Sequence, residues 1–321
     1  MARRYLQELK DGELVEEVYL VADKQLRANR NAALYLSIDL RDKTGVMNAR
    51  MWNVTEMSAA PIQAGGFVKV RGKVQLFQGV LQMIASHVEP VSAEGMDISE
   101  FEAQPLKNLE ELRTRLTEHV STLQNPFLQS LMESFLADSP LMDVLSQAPA
   151  GVKAHHAYHG GLLEHIVTLM DVAGKICEVY SELDADLLLC GVFLHDLGKI
   201  RELSGETGLQ YTDEGQLLGH LIIGVEMLTE KIQQTSQRTN VPFPSELEWR
   251  LKHMIVSHHG TYEFGSPKLP MTPEAVALHL IDNLDAKIFE FTRAIQDDPN
   301  STSHWTLFIP RLDRKIFKGA K

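Results

Sequence analysis

The heptapeptide Phe193-Leu194-His195-Asp196-Leu197-Gly198-Lys199 decides how this chain is read. It closes an apolar run containing Leu187-Leu188-Leu189 and Val192-Phe193-Leu194, so an imidazole and a carboxylate stand side by side where water is scarce. Burying two such groups without partners is costly. Neutral imidazole and carboxylate are also what a divalent transition ion takes as ligands. The flanking helical patterns supply more of the same. His165 shares a face with Leu162 and Leu169, and His220 with Leu217, Gly224 and Met227. His258 follows Met254 and Ile255, and Asp282 follows Leu278 with Asp285 one turn on. Spacings of three and four turn each polar group toward the apolar side of its helix. Adjacent His258 and His259 point about 100° apart on a continuous helix, so only one lies on the common axis unless the helix ends there. Gly260 suits such an ending. One buried histidine is more often an ordinary hydrogen-bonded core residue. Four or five helices each delivering His or Asp inward would leave about 1–3 kcal/mol of cost per unpaired group. A shared metal site satisfies them together, as helical bundles often do.

Upstream, residues 12–91 follow a period of two with hairpin punctuation. Strands are predicted over 14–21, 33–40, 46–52, 67–74 and 80–84, with turns at Asp42-Lys43-Thr44-Gly45 and Gln78-Gly79. Five short strands in so little sequence suggest a small closed barrel, because closure removes exposed edges. The motif x-Arg-x-Trp, a short helix, then Gly-x-Phe-Val-x-Val-x-Gly-x-Val resembles an OB-fold of the nucleic-acid-binding kind. Such barrels hold single strands on aromatic platforms beside basic side chains. Tyr35, Arg50, Trp52, Lys69, Arg71, Lys73 and Phe77 are the candidates for that face. The competing reading puts Trp52 and Phe67 in the core and leaves the basic residues as an ordinary solvated strand surface.

Residues 92–105 lack periodicity and read as a linker. Helices are predicted over 106–123, 126–136, 160–180, 186–196, 216–235, 245–258 and 273–296. Pro140 and Pro149-Ala150-Gly151 read as breaks, and Gly205 and Gly208 as a short hairpin or loop. The expected organisation is multidomain, β + α: a barrel over 1–91, a linker, and an all-α bundle over 106–321 with its metal core in about 150–290. Charge follows the same division. Residues 1–91 hold 12 Lys+Arg against 10 Asp+Glu, and the remainder 19 against 33. Of the 13 histidines only His87 lies in the first part. The net charge of −12 argues against a nucleic-acid coat, and the asymmetry argues for two parts with different tasks. The two cysteines, Cys177 and Cys190, exclude a disulfide framework and a Cys-rich zinc site. No long apolar run and no signal-like apolar core follows Met1, so a cytoplasmic protein without membrane contact is expected.

The order His165, His195-Asp196, His220, His258-His259, Asp282 resembles the HD superfamily of metal-dependent phosphohydrolases, in its His-rich two-metal form. Together with the preceding barrel, Gly161-Leu162-Leu163-Glu164-His165, Gly219-His220 and Leu280-Ile281-Asp282-Asn283-Leu284-Asp285, nearly the whole chain resembles the YhaM-type 3′→5′ exoribonucleases. The resemblance implies single-stranded RNA as substrate, with single-stranded DNA as a second, and hydrolysis by a metal-activated water. It implies two divalent ions, Mn²⁺ first with Fe, Co or Zn as alternatives. His165, His195, Asp196 and Asp282 would hold one, and Asp196 would bridge to another on His220 and either His258 or His259. Lys199 would neutralise a phosphate oxygen, or else be a solvated helix-end lysine. His155, His156, His159 and the basic Arg311, Arg314, Lys315, Lys318 and Lys321 are further candidates for substrate contact. A homo-oligomer is compatible with all this. Two rival readings remain: an HD-type nucleotide or cyclic-dinucleotide phosphohydrolase, and a non-catalytic single-strand-binding factor.

Overall fold

The structure, a computed structural model, describes residues 3–29, 33–77, 80–97, 100–101, 108–151, 158–204, 210–296, 298, 303–309 and 312–319. The Gln78-Gly79 turn, the Gly205 and Gly208 loop, His155, His156, Arg311 and Lys321 lie outside them. The chain divides into two compact units. One contains Met1–Gln104 and Glu290–Lys321, the other Pro105–Gly205 and Gln210–Phe289. The C-terminal segment, expected from sequence to belong with the helices, thus groups with the barrel unit; beyond Gln296 helical periodicity gives way to short extended arms.

In the first unit β1 (Leu14–Ala28), β2 (Leu34–Asp42), β3 (Gly45–Trp52), β4 (Phe67–Phe77) and β5 (Val80–Val91) form a closed barrel in the order β1-β2-β3-β5-β4. A parallel contact of β3 with β5, Ala49 against Met83 and Arg50 against Ile84, closes the cylinder. Leu36, Ile38 and Leu40 alternate inward along β2 and meet Tyr19, Val68, Val70, Val74 and Met83 in the barrel core. Between β3 and β4 the helix α1 (Glu56–Ala59) starts at Thr55, whose hydroxyl accepts from Ser58 N at 3.1 Å. β1 runs well past its apolar pattern. After an irregularity between Val21 and Asp23 it leaves β4 and continues along β2 to Ala28, over residues with no inward alternation to betray a strand.

The second unit comprises α2 (Leu109–Ser121), α3 (Pro126–Leu136), α4 (Ser139–Gln147), α5 (Gly161–Val179), α6 (Ala185–Leu194), α7 (Lys199–Glu202), α8 (Asp213–Thr239), α9 (Ser245–Ser257) and, as far as Phe289, α10 (Pro273–Gln296). A two-stranded ribbon, β6 (Leu203–Ser204) with β7 (Gln210–Tyr211), joins α7 to α8. Pro140, read from sequence as a break, instead opens α4. It occupies the first turn, where its missing N–H costs nothing, and Asp138 caps that helix through Leu141 N. Asn125 and Asp184 cap α3 and α6 in the same way. Residues Leu187–Leu194 of α6 are all buried, so this helix is apolar on every side and forms the axis of the bundle. No helix among the described residues is long and apolar enough to cross a membrane.

Candidate metal centre

The backbone of α6 ends at Leu194, and His195 is its C-cap. His195 and Asp196 therefore lie at the mouth of the central helix, both buried. From α5, His165 reaches the same point: its Nε2 lies 3.3 Å from His195 Nε2, 3.4 Å from Asp282 Oδ1 and 3.8 Å from Asp196 Oδ2. On the other side of Asp196, His220 Nε2 and His258 Nε2 stand 3.5 Å and 3.6 Å from its Oδ1. His259 completes that side, its ring centroid 4.4 Å from His258 and 5.2 Å from His220.

Two breaks in helical geometry make this convergence possible. Gly219 has φ +73° and ψ 156° inside α8, a conformation that excludes a side chain, and it kinks the helix just before His220. The kink also explains a difference from the sequence reading: Leu217 is 83% exposed, because the face it was expected to share with His220 is interrupted between them. The second break follows α9. Gly260 takes φ +81°, and a Cβ there would fall on the His279 ring, which donates to the His258 carbonyl at 2.8 Å. With the helix ended at Ser257, His258 and His259 both fall in one candidate set with His220.

Each imidazole is also held from behind. Nδ1 of His165 donates to Asp285 at 2.8 Å, that of His195 to the Val192 carbonyl at 2.7 Å and that of His220 to Glu202 at 3.0 Å. His258 donates to the Ile255 carbonyl at 2.8 Å and His259 to the Phe264 carbonyl at 2.9 Å. These bonds fix the tautomers, so the Nε2 lone pairs converge, the arrangement found where a metal holds the other nitrogen. Asp196 Oδ1 and His220 Nε2 are buried with no hydrogen-bond partner among the described residues. Three sets of ligand atoms each lie within 4.8 Å of one another: His165, His195 and Asp282; His195, Asp196 and His258; His220, His258 and His259. Orphaned acceptors and facing lone pairs fit divalent cations.

The electrostatics agree. Burial would raise the Asp196 pKa, but Lys199 and His195 hold its carboxyl well below the usual range. Asp282 is likewise lowered, His165 and the neighbouring imidazoles outweighing burial. Burial pushes His258 down to about 4 and lowers His259, leaving both neutral and able to ligate at pH 7. His165 differs: burial acts to lower it, but Asp282 and Asp285 raise it to about 9, so in the metal-free chain it carries a second proton that a cation would have to displace. Lys199 is not a solvated helix end: its side chain is 14% exposed and its Nζ lies 2.6 Å from Asp196 Oδ2. The sequence reading passed over Glu202 and gave Asp285 no role, although a carboxylate one turn from a candidate ligand, as Asp285 is from Asp282, is a usable signal.

Both parts of the chain match known families. The HD domain matches residues 162–287, and the OB-fold nucleic acid binding domain matches residues 20–91. The 3′-5′ exoribonuclease YhaM of Bacillus subtilis (strain 168) is 36% identical over 289 residues, covering 89% of this chain and 88% of that protein. The YhaM proteins of Bacillus velezensis and Shouchella clausii are 36% and 33% identical over 291 and 286 residues, each again covering 89% of this chain. The chain belongs to the YhaM family.

On the barrel of this YhaM-family chain the seven candidate residues fall into separate groups. Tyr35 and Trp52 are cross-strand partners with ring centroids 4.8 Å apart, and Trp52 is 43% exposed, not a core residue. Arg50, one row away, lies 6.0 Å from the exposed Phe77 ring. Lys73 shares a row with it, through Ile84. Lys69 and Arg71 sit elsewhere: both pair with Glu16 of β1, each at 2.9 Å. His159 is described but joins none of the ligand sets; Arg314, Lys315 and Lys318 lie in the C-terminal arms.

Proposed function

We propose that this chain is a metal-dependent 3′→5′ exoribonuclease that hydrolyses phosphodiester bonds of single-stranded RNA. The observation that carries the reading is identity of 36% along 89% of the chain to a protein named for that reaction. The buried His/Asp cluster supports it with a place for the chemistry. His165, His195 and Asp282 would hold one divalent ion and His220, His258 and His259 a second, with Asp196 between. Imidazole and carboxylate donors suit Mn, Fe, Co or Zn better than Ca or Mg, and Mn²⁺ is our assignment. Such ions, when bound, lower the pKa of water and place positive charge against phosphate oxygens. The remaining work falls to the chain itself. The Nδ1 hydrogen bonds keep each Nε2 aimed inward before substrate arrives. Burial opposes the Lys199 charge, but Asp196 and Asp282 raise its pKa, so it stays a cation for phosphate oxygens to meet. Tyr35, Trp52, Phe77 and Arg50 would hold the strand by stacking and phosphate contact, with Lys73 beside them. Single-stranded DNA offers the same phosphodiester and is a second substrate to test.

Incubating 5′-labelled single-stranded RNA with the protein and Mn²⁺ tests the proposal. A ladder of progressively shorter products, absent for Asp196→Ala, is the expected result. RNA left intact with Mn²⁺, Fe²⁺, Co²⁺ and Zn²⁺ overturns it, and turnover of free nucleotides under those conditions supports a nucleotide phosphohydrolase instead.

A further inference from the structure

The C-terminal arms take no part in the function proposed above. Residues 303–309 and 312–319 face each other through bridges at Trp305–Phe317 and Ile309–Arg314. Thr306 N donates to the Ile316 carbonyl at 2.8 Å, and Lys318 N to the His304 carbonyl at 2.7 Å. Ile316 N returns a bond to Thr306 Oγ1 at 2.9 Å. Around the Trp305–Phe317 bridge burial alternates: Thr306 and Ile316 are inside, while Trp305, Lys315 and Phe317 are exposed. A period of two therefore puts an indole, a phenyl ring and a lysine on one wet face.

The two rings lie 5.0 Å apart between centroids at 56°, and Trp305 and Phe317 are 49% and 55% exposed. Beside Trp305 and Lys315 runs a concavity of about 540 Å³, also lined by Ser303, Thr306 and Leu307. Thr306, Leu312 and Ile316 fill the buried side of the arms. Charge indicates the partner. Among the described arm residues Lys315 and Arg314 are exposed cations beside the single Asp313, whereas Lys318 is buried against Asp298. Two exposed rings with the Lys315 cation beside them suit a polyanion with flat hydrophobic units.

We propose that the Trp305–Phe317 face is a second binding surface for single-stranded RNA, separate in sequence from the barrel face. One or two bases stack on the rings, and Lys315 meets a flanking phosphate. That the strand is RNA rests on the exoribonuclease reading; the ring platform itself does not.

The test uses the full chain in EDTA with a fluorescein-labelled 20-nucleotide poly(A) RNA, read by anisotropy. Trp305→Ala and Phe317→Ala should each raise Kd by about 5- to 100-fold. Trp305→Phe should restore most of the affinity, which a merely structural defect would not predict. Lys315→Ala should reduce the slope of log Kd against log salt by about 0.7. Wild-type affinity in folded Trp305→Ala and Phe317→Ala overturns the proposal. So does a change of sedimentation from a larger species to a monomer with RNA binding unaltered, which would assign the rings to a second copy of the chain. The two readings fail separately: RNA trimmed with Mn²⁺ but bound normally by Trp305→Ala removes the platform alone. RNA bound through Trp305 but never trimmed removes the nuclease alone.

Discussion

The metal centre and the barrel face treat their polar side chains in opposite ways. At the centre every imidazole has one nitrogen committed to a fixed acceptor and the other aimed at its neighbours, out of water. On the barrel, Tyr35 and Trp52 stay partly exposed, and Lys69 and Arg71 are engaged with Glu16 at the surface. Buried groups must be satisfied by design, so their geometry is set before a ligand arrives. Exposed groups can exchange one partner for another at small cost. The contrast teaches that substitutions at the centre should act in an all-or-none way, and those on the barrel by degrees.

The largest effect is expected at Asp196, whose carboxylate lies within 4 Å of His165, His195, His220, His258 and Lys199. Asp196→Asn should reduce RNA hydrolysis by about 10³-fold or more and lower the bound metal measured by mass spectrometry of the native protein. A variant that retains both would dissolve the distinction between the two regions. Glu202→Gln comes next. It leaves the ligands in place but weakens the acceptor that orients His220, so a loss of about 10- to 100-fold in metal affinity is expected by calorimetric titration.

Gly260→Ala strains a left-handed position and drives a methyl group against the His279 ring, at an expected cost of about 1–3 kcal/mol in urea unfolding. The pH dependence of the metal-free chain gives a subtler contrast. His165 has its pKa raised from 6.5 to about 9, so its stabilising contribution is complete below pH 6.5 and lost as pH rises through 9. His258 is lowered to about 4, so its contribution is present above pH 6.5 and lost as pH falls toward 4. The metal-free protein should melt highest near pH 6.5, and saturation with Mn²⁺ should flatten the alkaline limb. The smallest change belongs to the barrel: Lys69→Ala should alter RNA affinity by less than about 3-fold, because its partner is Glu16, whereas Trp52→Ala should weaken it by about 5-fold or more. Equal losses for the two would mean that Glu16 gives up its lysine when the strand binds.

The same division explains what could be read from the sequence. The clustering was legible because His165, His195, His258 and Asp282 follow buried apolar residues, and burial is what periodicity reports. The barrel was legible through β2, where Leu36, Ile38 and Leu40 alternate, but not over Ala22–Ala28, whose outward polar residues carry no period. The rear partners were missed for a different reason. Glu202 reaches His220 only because α7 and the kink at Gly219 bring them together, a tertiary event with no local pattern. Pro140 misled because proline at a helix start and proline as a helix stop look alike until Asp138 is seen capping it.

The all-round burial of α6 carries one more consequence. With no wet side to fray from, its amides can meet deuterium only when the surrounding helices part together, so His195 should be among the last positions to exchange. His195 and Asp196 should thereby share the slow opening of that segment. Warming should silence the pair at the temperature where the whole bundle gives way, with no earlier, partial decline.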